Sequence, residues 1–326
     1  MGAPTAARVI AVLVAGLAWL ALAAPTQAHG VWPGPVPKDP LGIASAWHLD
    51  APIMLGLFAA GAMYASAVGS VNEAHPGNPW PRRRSLYFAL GVVAIGLALL
   101  SPLDTLSDDL LTVHMLQHLL LVTVAPPLLA ASGVGTLALR AASRTTRDRY
   151  LLPFLHSRVV SILTFPVVGW LALPAVMWGS HLSQLYNLAL VDDGIHAVEH
   201  LLYFVAASLF WWPLLSPDPL RWRLHPAAKA FAVLTQMPSM SFLAITIISS
   251  PTPLYPAYLG RSAAFGVDTL AEQQIAGSVM WLMGDITLLA AGVAVLVGWF
   301  RYEEEETKRV DARLDRARQL SRKEGP

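Results

Sequence analysis

Seven stretches of mostly apolar residues recur along this chain, separated by shorter segments rich in Arg, Pro and Trp. They fall at approximately residues 51–70, 85–101, 110–131, 159–178, 194–214, 229–250 and 272–300. About 20 apolar residues are needed to cross the hydrocarbon core of a bilayer as helix, and these runs approach or reach that length. The pattern predicts an all-α membrane protein with seven transmembrane helices. Ahead of them, residues 1–28 have the form of a secretory signal peptide: Arg8, an apolar run from Val9 to Ala24, and a small residue at Ala28. The competing reading of the same residues is an uncleaved anchor helix. Cleavage after Ala28 would leave His29 first in the mature chain, where its imidazole and the free α-amino group would make a copper(II) chelate, although an ordinary flexible terminus is the favoured reading. Residues 29–50 carry the run VWPGPVPKDP and read as an extended outer segment. Residues 51–300 form the membrane part, and residues 301–326 form a charged tail that is either a solvated helical extension or a disordered end.

Charge sets the orientation. Arg82, Arg83 and Arg84, then Arg140, Arg144, Arg147, Arg149 and Arg158, then Arg221, Arg223 and Lys229 lie in or beside alternate connections, and the tail is rich in both cations. The other connections hold only Lys38 and Arg261. By the positive-inside rule the basic side is cytoplasmic, the mature N-terminus lies outside and the C-terminus inside. With 55% apolar and only 13% charged residues the composition agrees, since soluble domains carry about 25% charged residues. The chain has no cysteine. Disulfides, iron–sulfur ligation and thiolate metal sites are therefore excluded, leaving His, Met and carboxylates as metal ligands.

Polar residues inside the apolar runs are costly and mark function. His114 and His118 lie four apart in the third run, and His196 and His200 repeat that spacing in the fifth, so each pair shares a helix face. Both runs enter from the outer side, near Leu110 and Gly194, which puts all four imidazoles one to two turns below the outer surface. A single intramembrane His is explained by an interhelical hydrogen bond. Two register-matched pairs point to a metal site, imidazole being a ligand for Cu, Zn and Fe. Gln117 and Glu199 are placed to orient the ring N–H groups. Met115, Met280 and His181 are weaker ligand candidates, as is His29. Thioether with imidazole and no thiolate favours copper(I) over zinc. Asp50 and Asp285 are further polar groups in or near the apolar runs.

Two other chemistries fit parts of the pattern. His196-x-x-Glu199-His200 matches the H-x-x-E-H of zinc hydrolases, in which the Glu acts as base. Intramembrane His pairs also serve as axial haem ligands in electron transfer, but two imidazoles at i,i+4 cannot grip one haem from opposite faces.

Several blocks, in order, resemble one family. HMLQHLLLVTVAPPLLA is similar to the H-M-x-Q-H-x-L-L-x-x-x-A-P-P-L-L block of CtaG-type cytochrome c oxidase assembly factors, a family associated with caa-type oxidases. SPLDTLSDDL precedes it, HAVEHLLYFVAASLFWWPL resembles the family's H-x-x-E-H segment with its Phe-Trp-Trp, and LYPAY and LAEQQIAGSVMWLMGD resemble its last outer loop and span. The resemblance covers roughly residues 45–300. Trp178-Gly179-Ser180-His181 stands where the family often has Trp-His, and Glu272 where Asp is more usual. The resemblance implies a CtaG-like membrane domain over 51–300 and a part in maturation of a haem–copper oxidase, by supplying or positioning copper. It also implies oxidase subunits and a periplasmic copper carrier as partners, with lipid around the chain and no nucleic acid. The expectation is a copper chaperone and not an enzyme. A membrane zinc hydrolase and a metal-free scaffold for oxidase subunits stand as alternatives.

Overall fold

The computed structural model describes residues 37–323. The expected signal segment 1–28 and His29 lie outside the described residues. The described residues are helical, with no strand among them. Seven longer helices are α1 (Ala51–Ala74), α2 (Arg82–Leu100), α3 (Leu111–Ala141), α4 (Pro166–His181), α5 (Asp193–Leu215), α6 (Pro226–Ile248) and α7 (Thr269–Lys323). All of these except α4 are long and apolar enough to cross a membrane, six in total among the described residues. The chain is thus a multi-pass membrane protein.

The fourth expected span, 159–178, differs from the prediction. It is broken into a short helix, Arg158–Leu163, and the 16-residue α4. Pro166 is the cause: the residue before a proline is pushed out of the helical region, and Phe165 sits at φ −65°, ψ 123°. At 1.5 Å per residue α4 spans about 24 Å, less than the ~30 Å hydrocarbon core. The tail after Phe300 is helical, because α7 continues unbroken for 55 residues.

α3 and α5 lie at the centre. Half of α5's apolar stretch is buried, against 17% for α1 at the edge. Tyr203, Phe210 and Trp211 of α5 pack with Leu173 and Met177 of α4 and with Val233, Leu243 and Ile247 of α6 in the main core. α4 lies directly on α5: a Cβ at Gly169 would stand 2.2 Å from the Leu209 carbonyl oxygen. Only glycine permits that approach. Outside this core, Phe58, Phe231 and Leu282 are more than half exposed. Large exposed apolar side chains of this kind suit contact with lipid in a chain that crosses a membrane.

α3 is not a uniform helix. Residues Leu120–Val124 form a π turn, closed by the Ala125 N–H bonding to the Leu120 carbonyl. The cause is Pro126, which has no N–H to offer the carbonyl four residues back, that of Val122. The indole N–H of Trp211 on α5 takes that carbonyl instead, at 3.0 Å. The proline bend is thereby fastened to α5. Gly133, at φ 69°, then ends the apolar part and turns the chain into the segment Val134–Ala141.

Candidate metal centre

The four histidines converge because α3 and α5 start alike. α3 begins at Leu111 and α5 at Asp193, so each helix carries its histidines as fourth and eighth residues. The start of α5 is fixed by Asp192, whose carboxylate accepts from Ile195 N at 2.9 Å. Leu110, at the start of α3, has no capping side chain. Glu272 of α7 substitutes for it, accepting from Leu111 N at 3.1 Å and Thr112 N at 2.6 Å. Carboxylates thus meet the positive end of both helix dipoles.

With the starts in register, the rings form a near rectangle. Centroids of His114 and His118 are 4.2 Å apart and those of His196 and His200 4.1 Å. Across the helices, His114 is 4.9 Å from His196 and His118 5.1 Å from His200. The diagonals are 6.4 and 6.3 Å. Since 114 faces 196 and 118 faces 200, α3 and α5 run parallel. All four side chains are buried, and one ligand nitrogen from each lies within 4.8 Å of the others.

The surrounding groups fix one tautomer. Tyr258, in the connection before α7, is fully buried, and burial, then Asp108 and Glu272, pushes its hydroxyl pKa well up. It therefore keeps its proton, which it donates to the Ser107 carbonyl at 2.7 Å. Its oxygen, 2.9 Å from His114 Nδ1, then accepts Nδ1–H, so His114 Nε2 carries the lone pair. That nitrogen faces His118 Nε2 at 2.8 Å. The contact is a hydrogen bond that His118 Nε2–H donates. Four nitrogens held on a tetrahedral ion at about 2.0–2.1 Å each would be roughly 3.3 Å apart. The donors present, at 2.8 Å for the His114–His118 pair and within 4.8 Å for the set, bracket that spacing. The set is nitrogen-only and neutral, suited to copper or zinc.

Charge is at hand. Glu199 is 1% exposed, and its Oε2 lies 3.9 Å from His118 Nε2. Tyr203 donates to its other oxygen at 3.2 Å and contacts Ser180 Oγ at 2.5 Å. Once ionised, this carboxylate would offset the charge of a cation held by the neutral imidazoles.

Other expected residues fall out differently. His181 reaches the centre from the end of α4, its ring 6.4 Å from that of His118. Met115 and Met280 are buried beside it and share a cavity with His118. Gln117 turns elsewhere: its amide nitrogen donates to the Ala98 carbonyl at 2.9 Å and to Asp104 Oδ1 at 2.6 Å. Asp104 in turn lies 3.2 Å from His48 Nδ1, so Gln117 braces the connection before α3. Asp50 is the N-cap of α1, accepting from Ile53 N at 2.8 Å. Asp285 accepts from Ser241 and from Trp281. Both are structural. Sequence reasoning missed Tyr258, Met177 and Tyr186 as neighbours of the histidines. Tyr258 lies in the LYPAY loop, where an aromatic residue next to the bilayer surface reads as ordinary.

The fold and the centre define a multi-pass helical membrane protein with a buried histidine cluster near one end of its core. Residues 62–302 match the family described as cytochrome c oxidase caa3 assembly factor. The chain belongs to that family. Among curated proteins it is similar to the uncharacterized protein ML1998 of Mycobacterium leprae, 24% identical over 288 residues. It is likewise similar to the uncharacterized protein Mb0105 of Mycobacterium bovis, 25% identical over 290 residues. In each case the match takes in 86% of this chain but 43% of the relative, so the chain spans less than half the length of these relatives. No solved structure matches.

Proposed function

We propose that this chain handles copper during assembly of a haem–copper cytochrome c oxidase, holding the ion between His114, His118, His196 and His200. The observation that carries the reading is the register-matched rectangle of buried imidazoles, with one nitrogen from each within 4.8 Å of the rest. Family membership supplies the oxidase. Four converging imidazoles fill a tetrahedral shell, whereas a catalytic zinc site keeps a position open for water. That difference favours a carrier over a hydrolase. Copper is cargo in this reading, so ligands are exchanged and no substrate bond is broken.

In this reading the histidine end of α3 and α5 lies on the outer side of the membrane and the tail of α7 in the cytoplasm, which the distribution of basic residues supports. The parallel course of α3 and α5 supports a return between them, which in this reading the Arg158–Leu163 and α4 pair makes as a seventh crossing in two pieces. The copper donor is a periplasmic carrier and the acceptor an oxidase subunit reached from the outer face. The test is the copper content of the oxidase purified from cells that express wild-type chain or a His114→Ala/His196→Ala variant as their sole copy. Copper-deficient oxidase with the variant is the expected result. Fully copper-loaded oxidase with the variant overturns the proposal.

A further inference from the structure

Next to the imidazole rectangle lies a cavity of about 40 Å³ with an overwhelmingly apolar lining. Four methionines from four different helices line it: Met115 of α3, Met177 of α4, Met240 of α6 and Met280 of α7. Methionine is a common gap-filler, and its presence alone implies only packing. One polar group changes that. His181 is 3% exposed and lines the same cavity. Its Nδ1 lies 2.8 Å from the Met177 carbonyl, which only accepts, so the proton is on Nδ1 and Nε2 carries a lone pair. That Nε2 is buried without a hydrogen-bond partner. A buried lone pair left unpaired costs stability, so this one beside four thioethers indicates that an electron-pair acceptor occupies the cavity.

We propose that this cavity is a second metal site, selective for a soft monovalent ion, copper(I) or silver(I). His181 Nε2 and two or three of the thioethers of Met115, Met177, Met240 and Met280 are its ligands. Thioether and imidazole donors are neutral and soft, the combination that selects copper(I) over zinc(II). The site is distinct from the rectangle but adjoins it. His118 lines the cavity while its Nε2 faces His114 in the rectangle. Rotation of that one ring passes an ion from one ligand set to the other by exchange. The inference rests on the copper-handling reading for its biological sense, but its ligands are a separate set.

The experiment loads anaerobically purified full-length protein with copper(I), and separately with silver(I), and measures bound metal per chain and the ligand atoms by X-ray absorption. Wild type is expected to bind two ions, with sulfur in the coordination shell. Met115→Leu/Met280→Leu keeps the volume nearly constant, so the helices stay packed. It is expected to lose one ion and most of the sulfur signal. Met177→Leu/Met240→Leu provides the second, independent variant, expected to behave the same way. His114→Ala/His196→Ala is expected to lose the other ion and keep the sulfur. One ion in wild type with nitrogen ligation only, unchanged in both methionine variants, overturns the second site and leaves the rectangle standing. Sulfur-ligated metal alone, unaffected by the His variant, supports the cavity and overturns the rectangle. No bound metal in wild type overturns both.

Discussion

Replacing Tyr258 by Phe removes one oxygen atom and tests how the centre is tuned. That oxygen serves two partners: it accepts from His114 Nδ1 at 2.9 Å and donates to the Ser107 carbonyl at 2.7 Å. Tyr258 is 1% exposed, so water does not replace the lost hydroxyl. Each orphaned buried group costs about 1–3 kcal/mol, giving a stability loss of roughly 2–4 kcal/mol after partial relaxation. The effect on metal is separable. Without the hydroxyl nothing holds the His114 proton on Nδ1, and the tautomer that presents Nε2 to the ion loses its advantage. Losing such a supporting hydrogen bond costs about 10–100-fold in metal affinity. Copper(I) affinity measured by competition with a chromogenic chelator is the assay. Tyr255→Phe is the control, because the Tyr255 hydroxyl reaches only the His181 carbonyl at 3.4 Å. A Tyr258→Phe variant that keeps wild-type affinity while Tyr255→Phe weakens it would refute the tautomer reasoning.

Three further expectations concern the frame. Glu272→Gln keeps the shape but loses the charge that receives Leu111 N and Thr112 N, and thermal unfolding in detergent should show a loss of about 1.5–3 kcal/mol; an unchanged midpoint would contradict the capping role. Trp211→Phe abandons the Val122 carbonyl freed by Pro126 and should cost about 1–3 kcal/mol, read in the same assay. Gly169→Ala drives a methyl group to within 2.2 Å of the Leu209 carbonyl oxygen, so α4 must move off α5. The folded yield should fall sharply, and a well-folded variant with wild-type melting would count against the close α4–α5 contact.

The helices were largely legible in the sequence because lipid imposes a simple demand: every backbone group is satisfied within its own segment, and long apolar helices result. The fourth segment failed that logic for a local reason. Its hydropathy predicts one span, but Pro166 dictates a break at Phe165 that average apolarity does not register. The histidine quartet was legible because two i,i+4 pairs entering from the same side have equal depth, and depth follows from counting residues. What depended on a neighbour was not. Gln117 is one residue from His118, yet its amide goes to Asp104 and Ala98, because the helix turns it toward α2. Glu272 caps a helix 161 residues away in sequence from its own position. Tyr258 meets His114 only because the connection before α7 folds over the start of α3. Met177 and Met240, separate in sequence from both His pairs, reach their cavity only through the packing of α4 and α6 on the core.

The central claim is that the four imidazoles hold copper, and metal content tests it most directly. Protein purified anaerobically after copper loading would be compared with a His114→Ala/His200→Ala variant, using elemental analysis with size-exclusion chromatography to confirm that both are folded. The account predicts copper bound in the wild type at the imidazole rectangle and lost from that site in the variant. Zinc in place of copper, or equal copper in both proteins, would contradict it.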